Sequence, residues 1–68
     1  MADFIKVSII TDTPLHDGRM LELPMWLSKY QINEMDDDKK GNCVNMIYNN
    51  KAFLVRGSVD VIIQKFQE

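Results

Sequence analysis

The chain has 68 residues, a net charge of −2, one cysteine, and eight Lys and Arg set against ten Asp and Glu. That length makes one small domain, 1–68, whose core supplies only about 3–5 kcal/mol; no internal disulfide can add to it, and Cys43 with His16 gives two of the roughly four ligands a structural zinc requires. The scattered, outnumbered cations count against nucleic-acid binding, and no apolar run approaches the roughly 20 residues of a membrane span.

Met1 to Asp12 lacks the cationic start and long apolar core of a secretory signal. With the lone thiol, this points to a reducing, cytoplasmic setting. Phe4 to Thr11 is the first strand candidate. Ile5, Val7 and Ile9 fall on one face by the period-2 rule, and Phe4, Lys6, Ser8 and Ile10 on the other. Thr11-Asp12-Thr13-Pro14 is expected to end the strand, and a loop follows through Gly18.

Met20 to Leu23 predicts a short second strand, stopped at Pro24 because proline donates nothing to a sheet ladder. Met25-Trp26-Leu27 then reads as a tight apolar turn. Ser28 to Met35 is expected to be a third strand, alternating Tyr30 and Ile32 against Lys29, Gln31 and Asn33. A short helix from Pro24 to Tyr30 is also compatible, since proline suits a helix start. Asp36 to Gly41 reads as a charged, solvated loop.

Asn42 to Phe66 is the most legible part. Asn49-Asn50 suits a two-residue type I′ turn, in which both central residues take positive φ. Register follows by counting outward: Tyr48 opposes Lys51, Ile47 opposes Ala52, Met46 opposes Phe53, and Val44 opposes Val55. Val44, Met46, Phe53 and Val55 make a core face. Ile47, Ala52 and Leu54 make a second face too apolar to stand in water, which the helix, barrel closure or another subunit must cover. Gly57 releases the strand, and Ser58 caps a helix with Asp60 in its first turn. Val59, Ile62, Ile63 and Phe66 form its apolar stripe.

The segment Phe53-Leu54-Val55-Arg56-Gly57-Ser58-Val59-Asp60-Val61-Ile62-Ile63 resembles the C-terminal end of the small bacterial flagellar FlbD-type proteins. It also resembles the strand-to-helix end of the LytTR DNA-binding domain. The FlbD-type pattern of strand, glycine loop, short strand, proline-associated turn, strand, hairpin and helix looks like Phe4 through Phe66. Leu23-Pro24-Met25-Trp26 is bulkier than the usual turn of that pattern, and Asp36 to Asn42 is a longer acidic loop. The basic loops of LytTR domains have no counterpart here. The matched positions are structural, so the resemblance assigns no functional residue.

No chemistry stands out. His16-Asp17 could orient a general base, but no nucleophile accompanies it, and an exposed polar loop accounts for it. Cys43 opposes Arg56, which could lower its pKa, yet a half-buried strand cysteine explains it as well. Asp36, Asp38 and Gly41 match the start of a calcium loop, but Lys40 and Ile47 occupy two later ligand positions. Met25, Trp26 and Tyr30 are the strongest binding candidates, because Trp and Tyr are enriched at interface hot spots and methionine adapts to irregular surfaces.

The expected fold is therefore α+β, a small antiparallel β-sheet or partly open barrel of four to five short strands with one C-terminal α-helix. The expected function is a non-enzymatic protein-binding, regulatory module acting as a homo-oligomer. Its interface is Met25, Trp26, Tyr30, Ile47 and Leu54, and its partners are itself and another protein. No cofactor, metal, membrane or small molecule is implied. One alternative is a nucleic-acid-binding transcriptional accessory, which needs Lys6, Lys29, Lys51, Arg56 and Lys65 on one surface. Another is a small acidic inhibitor, of the kind mobile elements or phage encode, acting on a basic target through Asp36 to Asp38.

Overall fold

A computed structural model describes residues 2–40 and 42–68. Gly41, expected to close the acidic loop, and Met1 lie outside them. The described residues form β1 (Phe4–Pro14), β2 (Met20–Ser28), β3 (Ile32–Asp37), β4 (Cys43–Tyr48), β5 (Lys51–Arg56) and α1 (Val59–Gln67). A single 3₁₀ turn, Lys29–Gln31, joins β2 to β3. All strand pairs are antiparallel, in the order β2-β1-β5-β4-β3. This is the expected α+β architecture.

That order and that connection together dictate the shape. β2 and β3 are opposite edges of the sheet, and five flat strands would set them about 19 Å apart. One 3₁₀ turn of three residues spans only about 6 Å. The sheet therefore curls, bringing Ser28 and Ile32 close at one corner while the edges stay open elsewhere. The Tyr48 hydroxyl pins that corner: it accepts from the Ser28 N–H at 3.0 Å and donates to Gln31 Oε1 at 2.7 Å.

Ile5 and Val7 of β1, Leu27 of β2, Val44, Met46 and Tyr48 of β4, Val55 of β5 and Ile62 of α1 form the core on the inner face. α1 crosses that face. The Ala2 N–H donates to the Phe66 carbonyl at 2.9 Å, and Asp37 Oδ1 accepts from the Val59 N–H, also at 2.9 Å. Asp37 thus adds a cap from a distant strand to the local one from Ser58 Oγ, which accepts from the Val61 N–H at 3.2 Å. Of the expected stripe, Ile62 is buried and Val59 and Phe66 pack against the core. Ile63 is exposed, a correction: it lies at the stripe's margin, past the reach of the sheet.

The terminal hairpin has the expected register throughout. Asn49 and Asn50 have φ of 49° and 66°, the positive values the turn requires. Gly57, at φ 120°, turns the chain from β5 into α1; a side chain there would be strained.

Five further expectations need correction. β1 does not stop at Thr11 but runs to Pro14, through an irregularity in which residues 11 to 13 face Leu21. Thr11 sustains it by donating from Oγ1 to the Leu21 carbonyl at 2.8 Å. Pro24 does not stop β2, and Met25-Trp26-Leu27 is neither a turn nor part of a helix: the strand continues to Ser28. β2 is an edge strand, where a missing N–H can point away from the ladder. The third strand does not start at Ser28; the 3₁₀ turn precedes it and β3 begins at Ile32. Asp36 and Asp37 belong to β3, not to a loop.

β3 contains a further device. Ile32 faces Tyr48 and Glu34 faces Ile47, so Asn33 is an extra, bulged residue. The bulge shifts the inward positions from period 2 to a spacing of three, which lets both Ile32 and Met35 pack on the core. Asn33 Oδ1 accepts from the Asn50 N–H at 3.0 Å, tying the bulge to the hairpin turn.

Candidate functional site

With α1 and the core on the inner face, no other described element packs over the opposite face of the sheet. The register places Phe4, Lys6, Ser8 and Ile10 of β1 on it, with Glu22, Pro24 and Trp26 of β2. Leu54 and Ala52 of β5, Asn45 and Ile47 of β4, and Glu34 and Asp36 of β3 complete it.

The expected interface residues separate. Met25 points inward, opposite Val7, and packs against the core. Trp26, opposite Lys6 on the outer face, is 64% exposed, and Tyr30 on the 3₁₀ turn is 74% exposed. Phe4, a diagonal neighbour of Trp26 across the β1–β2 pair, is also exposed. Ile47 and Leu54 are half-buried on the same face as Trp26. Met25 is therefore a packing residue, while Trp26, Ile47 and Leu54 share a surface. Tyr30 stands apart at the corner, its hydroxyl 3.5 Å from Asp3 Oδ1 and the Lys29 ammonium 5.2 Å from its ring centroid.

Two depressions differ in character. One, of about 410 Å³, has an apolar floor of Ile47, Ala52 and Leu54, with Glu34 and Asp36 at its rim. The other, of about 320 Å³, gathers Lys6, Arg56 and Lys65 around Ser8 and Pro24. Arg56 is paired with Glu22 at 2.9 Å, and that contact lowers the Glu22 carboxyl below its ordinary value. Lys65 Nζ donates to the Lys6 carbonyl at 3.4 Å, where β1 has parted from β5. Among the described residues, neither Lys6 nor Lys65, nor Glu34 or Asp36, forms an ion pair. The surface is divided: cations toward β1 and α1, carboxylates toward β3.

Three of the five cations named for a nucleic-acid surface thus meet, while Lys29 pairs with Asp3 at 3.3 Å and Lys51 sits at the hairpin turn. The Asp36 to Asp38 cluster disperses. Asp37 caps α1, and Asp38 accepts from Asn45 Nδ2 at 3.4 Å, the leading cause of its lowered pKa. Asp17 is engaged by Arg19 at 2.7 Å. Of the two that rim the groove, Glu34 has no signal in the sequence and Asp36 reads as part of an acidic loop, because the facing of both depends on the bulge at Asn33.

Cys43 opposes Arg56, as its register implies, but it is buried. Burial, then the Asp38 carboxylate, pushes its thiol up, and these outweigh the pull of Arg56. A raised thiol is protonated at neutral pH and a poor nucleophile. Alkylation at pH 8 is expected to be far slower in the folded chain than in denaturant; equal rates would show that burial does not protect the sulfur.

No helix among the described residues is long and apolar enough to cross a membrane. Comparison with family models, curated proteins and solved structures finds no match.

Proposed function

We propose that this chain is a non-enzymatic protein-binding module of regulatory use, which docks through the outer face of its sheet and associates with itself. The observation that carries this is the placement of Ile10, Ile47, Leu54 and the exposed Trp26 on a face that α1 does not cover. Exposed apolar side chains on an uncovered sheet face mark interaction sites. Trp at such a position is the residue type most enriched among binding hot spots.

The divided charge favours a protein over a nucleic acid. A phosphate backbone drawn to Lys6, Arg56 and Lys65 would have to pass beside Glu34 and Asp36 on the same face, whereas a protein surface can match both signs. Catalysis has little to work with, since His16 lies in an exposed loop and Cys43 is buried with a raised pKa.

Sedimentation from low to high micromolar concentration tests self-association. Wild type is expected to sediment faster than a monomer, and Leu54→Asp as a monomer with unchanged far-UV circular dichroism. A wild-type chain that stays monomeric throughout overturns it.

A further inference from the structure

The two depressions and Trp26 fit together if the occupant of the groove is a second copy of this chain. We infer that Trp26 of one copy seats in the groove floored by Ile47, Ala52 and Leu54 of another, with the neighbouring Lys6 meeting Glu34 and Asp36 at the groove's rim. This rests on the self-association proposed above and names the contact that makes it.

Three observations support the fit. Trp26 is 64% exposed on β2, an edge strand, and is not among the residues that line the groove, which belong to β3, β4 and β5. The groove, at about 410 Å³, is a concavity with an apolar floor, which suits an aromatic ring that can shed water there. Lys6 lies directly across the strand pair from Trp26, so the ammonium travels with the indole. It has no ion pair among the described residues, and neither have Glu34 and Asp36. Complementary charge at the margin of an apolar anchor is the usual arrangement of a specific interface.

Knob and groove lie on different strands, Trp26 on β2 and the groove on β3, β4 and β5. A two-fold axis lying in the interface between them exchanges the two, so each copy both inserts its Trp26 and receives its partner's. Such a contact closes on itself at two copies. An unreciprocated insertion would instead propagate into a chain of subunits.

Trp26 is the only tryptophan, so its fluorescence reports the contact directly. Raising the concentration through the association range should shift its emission to shorter wavelength in step with the sedimentation change. Trp26→Ala should weaken association at least about tenfold, the effect of a hot-spot side chain. Lys6→Glu alone, and Glu34→Lys with Asp36→Lys in another chain, should each weaken self-association. Mixing these two variants should restore it, because both reciprocal contacts then carry opposite charges. A chain with all three substitutions should also recover. Association with Trp26 still fully solvated, or a mixture no tighter than its components, overturns this contact while leaving self-association standing. A monomeric wild type overturns both.

Discussion

Leu27→Ala should lower the unfolding free energy by about 2–5 kcal/mol, the range for emptying a buried leucine site. Leu27 is fully buried, opposite Ile5 in the β1–β2 pair and within the core cluster. A domain of this length has roughly 3–10 kcal/mol in total, so the loss takes a large part of it or all. At about 4–8 °C per kcal/mol for so small a domain, the melting temperature should fall by roughly 8–40 °C, or the cooperative transition should vanish. Leu23→Ala is the control. Leu23 lies on the same strand and the same face, opposite Ile9, but is 49% exposed, and its loss should cost below about 1 kcal/mol. Thermal denaturation followed by circular dichroism compares the two. Equal effects would contradict a β2 that runs inward through Pro24 to a buried end.

The same strand shows what was legible in the sequence and what was not. Leu21, Leu23, Met25 and Leu27 keep a period of two across Pro24, and the last three face Ile9, Val7 and Ile5. The pattern is present, but proline's bar on central strands does not hold on an edge strand. Position in the sheet decides that point, and position is a long-range fact. The hairpin from Cys43 to Arg56 had no such dependence. Its two-residue turn fixed the register by counting, and every pair follows. The bulge at Asn33 lies between these cases. It is anchored by the Asn50 N–H, and nothing in the residues around Asn33 announces a partner so far along the chain.

The candidate site divides on the same principle. Ile47 and Leu54 fall on a second apolar face by counting outward from the turn, and the register places them there. Met25, Trp26 and Tyr30 stand out by residue type, aromatic for hot spots and methionine for adaptability, which does not say where each side chain faces. A strand sends neighbours to opposite faces, so Met25 turns into the core and Trp26 out of it. The division of charge was invisible for a different reason. Lys6, Arg56 and Lys65 come from three elements, and the net charge of −2 averages them with carboxylates at the far edge.

Tyr48→Phe should test the corner that gives the sheet its curl. The substitution keeps the ring, which packs inside the core and meets the Phe53 ring edge-on at 6.4 Å. It removes only the hydroxyl, which accepts from the Ser28 N–H and donates to Gln31 Oε1. Ser28 is buried, so its amide would lose its partner without gaining water. A buried donor left this way costs about 1–3 kcal/mol. Gln31 is exposed and can turn to solvent, so Gln31→Ala should cost less than Tyr48→Phe. Chemical denaturation gives the energies, and hydrogen exchange at the Ser28 amide reports the site: protection should fall in Tyr48→Phe beyond what the loss of global stability accounts for. If Ser28 stays equally protected and the stability is unchanged, then the three-residue connection alone holds β2 against β3, and the hydroxyl is incidental to the closure.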